Sequence, residues 1–67
     1  MELSQFIQEN RLTQRGLARA LGVTEAAASL WCRGLRTPNY RNLRKIRALT
    51  DGQVSADDFL RARELAE

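Results

Sequence analysis

In Gln14-Arg15-Gly16-Leu17-Ala18-Arg19-Ala20-Leu21-Gly22-Val23-Thr24-Glu25-Ala26-Ala27-Ala28-Ser29-Leu30-Trp31-Cys32-Arg33, two short helical patterns sit either side of one glycine. Thr13 caps the first, and Leu17, Ala18 and Leu21 form its buried stripe at i, i+1, i+4. Gly22 stands where a chain leaving a helix needs positive φ, which glycine takes without steric cost. Val23 is an apolar plug in the turn. Thr24 caps the second pattern, whose inner stripe is Ala28 and Trp31 at i, i+3. Small Ala18 lets the two helices cross closely. The arrangement is a helix-turn-helix, a unit whose second helix can enter a DNA major groove.

Leu17-Ala18, Leu21-Gly22-Val23-Thr24, Ala28-Ser29 and Trp31 through Gly34, with Pro38 beyond, resemble the Cro and lambda-repressor-like (XRE-type) helix-turn-helix family. The resemblance covers roughly residues 3 to 60. It implies an all-α five-helix bundle in which the second and third helices form the helix-turn-helix. It also implies a duplex DNA-binding transcriptional regulator, such as a phage or prophage Cro-like repressor that occupies a palindromic operator as a dimer.

Work outward along the chain predicts the rest of that bundle. Leu3, Phe6 and Ile7, with Asn10 next in the series, give a first helix over 3–11, and Leu12 closes it inward. Gly16 is unexpected inside the second helix, over 14–21, because interior glycine costs about 1 kcal/mol relative to alanine. Close approach to a phosphate or a neighbouring helix would explain it, and so would tolerated drift at an exposed site. The third helix runs from Glu25 to Arg33 and ends at Gly34. Leu35 to Asn39 form a loop with Pro38 as its stop. A fourth helix over 40–49 turns Leu43, Ile46 and Leu49 inward, and Asp51-Gly52 is a turn. Ser55 caps a last helix whose first turn carries Asp57 and Asp58. Phe59 is its anchor, Val54 lies just ahead, the packing of Leu60 and Leu65 depends on its length, and the tail is expected to fray. One domain over 1–67 is expected, with its core in about 3–60.

Charge is distributed in blocks. Arg11, Arg15, Arg19, Arg33, Arg36, Arg41, Arg44, Lys45 and Arg47 share their segment with one acid, Glu25, while both ends of the chain are net acidic; the total is +3. A basic middle suits a polyanion. On an average soluble domain it would be only a solvated face, but here it coincides with the helix-turn-helix. The sequence has no histidine and a single cysteine, Cys32. Those counts argue against a zinc site, an internal disulfide and a nucleophile–base set, so neither a cofactor nor an enzyme is expected. No apolar run reaches a membrane span and the first residues lack signal-peptide character, so a cytoplasmic protein without a membrane or small-molecule partner is expected.

Base readout would fall to the outward start of the third helix: Glu25, Ala26 and Ala27, then Ser29 and Leu30. Glutamate accepts from cytosine N4, and alanine or leucine can touch a thymine methyl. The set departs from the resembled family, where glutamine is common at the positions of Glu25 and Ala26, and an acid repels phosphate. Equally available readings are helix propensity for the alanines and a dipole partner for Glu25. Phosphate contacts would come from Gln14, which matches a family glutamine bonding the backbone, and from Arg15, Thr24, Arg33, Arg36, Tyr40 and Arg41. Arg19, Arg44, Lys45 and Arg47 read as general field or surface pairs. Trp31 reads as core, and Cys32 as a partly exposed bystander, with a redox switch as the other reading. The expected homodimer would use Leu49, Val54, Phe59 and Leu60, residues that could equally fill the core. Its self-association would be weak and completed on DNA. The competing reading is a small protein-interaction module, since antitoxins and adaptors reuse this fold.

Overall fold

The computed structural model describes residues 1–66, with side chains described through Arg61. Five helices follow in order: α1 Leu3–Glu9, α2 Gln14–Leu21, α3 Glu25–Cys32, α4 Tyr40–Leu49 and α5 Ala56–Ala66. No strand occurs among the described residues. Each helix contributes a narrow apolar stripe to one core: Leu3, Phe6 and Ile7 from α1, Leu17, Ala18 and Leu21 from α2, Ala28 and Trp31 from α3, Ile46 from α4 and Phe59 from α5. Val54, in the connection ahead of α5, joins them with no exposed surface.

Helix ends are set by local hydrogen bonding. Thr13, Thr24 and Asn39 each place a side-chain oxygen on a backbone N–H three residues on, at Gly16, Ala27 and Asn42. These bonds satisfy donors that the first turn leaves without partners. The α2 end closes with Gly22 at φ 71°, the Gly22 N–H on Arg19 O and the Val23 N–H on Ala18 O. This paired bonding is the Schellman arrangement.

Several expectations are corrected. α1 stops at Glu9 rather than residue 11, because Arg11 takes the left-handed conformation at φ 55° and closes the helix with the same bonding, at Gln8 O and Ile7 O. That reversal leaves Leu12 41% exposed rather than inward. α3 ends at Cys32, with Arg33 as its cap. Along α4 the inward series is half-buried Leu43, buried Ile46 and, at the cap, buried Thr50 at i, i+3, i+7, so Leu49 rotates outward and is 41% exposed. The Thr50 hydroxyl sits in the core because both its roles are filled: it donates to Ile46 O at 2.8 Å and accepts from the Val54 N–H at 3.1 Å.

Ser55 stands at the cap position of α5, but the carboxylate does the capping. Asp58 Oδ2 accepts from the Ser55 N–H at 2.9 Å and from the Ser55 hydroxyl at 3.2 Å, and Oδ1 meets the Met1 ammonium at 2.9 Å. Asp57 stays exposed. Leu60 is exposed, whereas Leu65 and the expected fraying of the tail lie outside the residues whose side chains are described.

Candidate nucleic-acid interface

Among the described residues, α2 and α3 make the most extensive contact between helices. It is possible because the residues between them are small: Ala18 and Ala28 are fully or almost fully buried. Trp31, also buried, supplies the bulk that holds α3 from behind. The N-terminal turn of α3 is thereby displayed. Glu25 and Ala26 are exposed, Ser29 and Leu30 are half-buried, and Thr24 ties the turn down through the Ala27 N–H. Ala27 itself is half-buried and packs against the core, which leaves Glu25 and Ala26 as the freely presented pair.

The residues expected at phosphates lie on α2, ahead of α3, in the α3–α4 connection and at the start of α4. Gln14 and Arg15 open α2, Gln14 half-buried and Arg15 exposed. Thr24, Arg33, Arg36, Tyr40 and Arg41 are all exposed, the last two in the first turn of α4. None of the basic side chains from Arg11 to Arg47 has an acidic partner within 4.0 Å among the described residues, where the one ion pair is Met1 with Asp58. A cationic surface without internal neutralisation retains its field for a polyanion.

Three features escaped the sequence reading. Asn39, read as loop, caps α4 and so fixes where Tyr40 and Arg41 begin; an asparagine directly ahead of the helical pattern was the available signal. Lys45, read as general field, donates to the Leu21 carbonyl at 3.2 Å and joins α4 to the end of α2. Arg44 reaches back along α4 to place its guanidinium 5.9 Å from the Tyr40 ring centroid. Tyr40 and Arg44 also line an open groove together with Arg47, Asp51 and Asp57.

Burial pushes the Cys32 thiol above its ordinary pKa, which keeps it protonated and poorly nucleophilic. For Asp58, burial alone would raise the pKa. The hydrogen bonds from Ser55 and the Met1 ammonium outweigh it, and the carboxyl is held below its usual range. Val54 and Phe59, candidates for a dimer surface, are core residues and leave only Leu49 and Leu60 of that set exposed. No group of three His, Cys, Asp or Glu able to hold a metal occurs among the described residues. Nor is any described helix long and apolar enough to cross a membrane.

A closely packed α2–α3 pair that displays the start of its second helix, in a chain whose middle segment is basic, has the architecture of a helix-turn-helix. A family model described as helix-turn-helix matches residues 3–56. The chain belongs to that helix-turn-helix family and is a DNA-binding regulator of the XRE type. The match ends at the first residue of α5. No curated protein and no solved structure matches the chain.

Proposed function

We propose that the protein is a sequence-specific repressor of the Cro-like kind, binding a two-fold symmetric operator through α3. What supports the reading is an exposed Glu25–Ala26 turn, with buried Ala28 and Trp31 further along α3, together with exposed basic residues on the neighbouring elements that make no ion pair among the described residues. In this reading Glu25 accepts from a cytosine N4 amino group, Ala26 and Leu30 touch a thymine methyl, and Ser29 serves base or backbone. Gln14, Arg15, Thr24, Arg33, Arg36, Tyr40 and Arg41 grip the strands and set register. Repression follows from occupancy that excludes polymerase. Leu49 and Leu60 form the apolar part of a weak dimer contact completed on DNA.

Selection of bound sites from random duplexes tests this directly. The expected product is a palindrome whose half-sites are centred about 10 base pairs apart, with a cytosine at one fixed position in each half. Recovery of unpatterned sequences would refute specific readout.

A protein-interaction module is the competing reading, and the acid and alanines on the displayed turn favour it. A module of that kind would show no salt-dependent affinity for duplex DNA.

A further inference from the structure

We infer that Glu25 is a specificity filter, a carboxylate that weakens binding to wrong DNA more than it strengthens binding to the right site. The inference rests on the DNA-binding reading and concerns what one residue does within it.

The first turns of the three central helices are not alike. Those of α2 and α4 hold no acid, and that of α3 holds Glu25. A helix start attracts phosphate through its free N–H groups and its dipole. α2 and α4 therefore keep that attraction, whereas the displayed helix carries a fixed negative charge in its first turn. Glu25 is exposed and makes no ion pair among the described residues. Its charge has no cationic side-chain partner, even though its segment is otherwise basic.

On non-matching DNA this carboxylate faces phosphates and base acceptors with no donor to meet it. Two like charges about 4 Å apart repel by about 1 kcal/mol in a water-like medium, which is about fivefold in affinity. On a matched site the cytosine N4 amino group supplies the missing donor. The acid thus widens the gap between right and wrong sites by lowering the floor. Non-specific affinity comes from phosphates and favours every duplex equally, so the basic surround alone cannot create that gap.

The test measures affinity for a random-sequence duplex at low salt for wild type, Glu25→Gln and Glu9→Gln. Glu9 is an exposed acid in α1, so its variant makes the same charge change outside the proposed contact. Thermal melts confirm that each variant is folded. Glu25→Gln should bind random duplex about fivefold more tightly, while Glu9→Gln should match wild type. Unchanged affinity in Glu25→Gln, or an equal gain in Glu9→Gln, would overturn the filter. Absence of salt-dependent duplex binding in wild type would instead overturn the DNA-binding reading on which it rests.

Discussion

Lys45 Nζ donates to the Leu21 carbonyl oxygen across 3.2 Å, so the fourth helix holds the end of the second. The last carbonyls of a helix have no partner within it and sit at the negative end of its dipole, where a cation is favoured. This bond steadies the base of the turn that displays Glu25. Lys45→Met keeps the aliphatic stem and removes the charge. It should lower stability by about 0.5–1 kcal/mol, read as a reduced urea midpoint at unchanged m-value. The loss should shrink as salt is added.

Thr50 presents a larger effect, because its hydroxyl lies in the core. Thr50→Val preserves shape but leaves the buried Val54 N–H without an acceptor. A loss of about 1–3 kcal/mol is expected in equilibrium denaturation. Thr50→Ser keeps the bond and should lose only what the missing methyl contributes, about 1 kcal/mol. Equal losses in the two variants would show that packing, not the hydrogen bond, is what Thr50 provides.

Much of this fold was legible in the sequence because its signals are local. Thr13, Thr24, Gly22 and Gly34 announce helix ends within four residues of the groups they satisfy, and Trp31 follows Ala28 at helical spacing. What escaped depends on distance or on a costly conformation. Lys45 and Leu21 are 24 residues apart, and nothing in either neighbourhood signals the other. Arg11 in a left-handed conformation contradicts its own preference, so α1 read two residues too long. Leu49 and Thr50 were exchanged because apolar character suggested the first for the core, whereas hydrogen bonding lets the second occupy it. The candidate interface was legible as a set of residue types; that Ala27 leans into the core and Asn39 sets the start of α4 required the packed structure.

Acid should unfold the protein partly through Asp58. Its folded pKa lies below the ordinary value of 3.8, so its stabilising contribution is complete above that value. The contribution is lost as pH falls through the depressed folded value, since the unfolded state then binds the proton more readily. Stability measured from about pH 6 down to about pH 2 should therefore fall less steeply below pH 4 in Asp58→Asn than in wild type. Parallel curves would contradict the assigned bonds.

Gly16 separates two explanations for an unusual residue. It is exposed and lies in the first turn of α2, where an added Cβ would meet Thr13 Oγ1 at 3.3 Å. The exposed hydroxyl can give by a few tenths of an ångström and still accept from the residue 16 N–H, now 2.9 Å away. Gly16→Ala should then gain about 0.5 kcal/mol from helix propensity, visible as a raised melting temperature. If duplex affinity falls at the same time, the glycine serves close approach to a phosphate. If affinity is unchanged, it is tolerated drift.

The central claim is that the basic surround of α3 binds the backbone of duplex DNA, and a salt titration on a random duplex tests it most directly. A surface neutralising about five phosphates predicts a log–log slope of affinity against salt of about −4 to −5. A slope near zero would contradict the account.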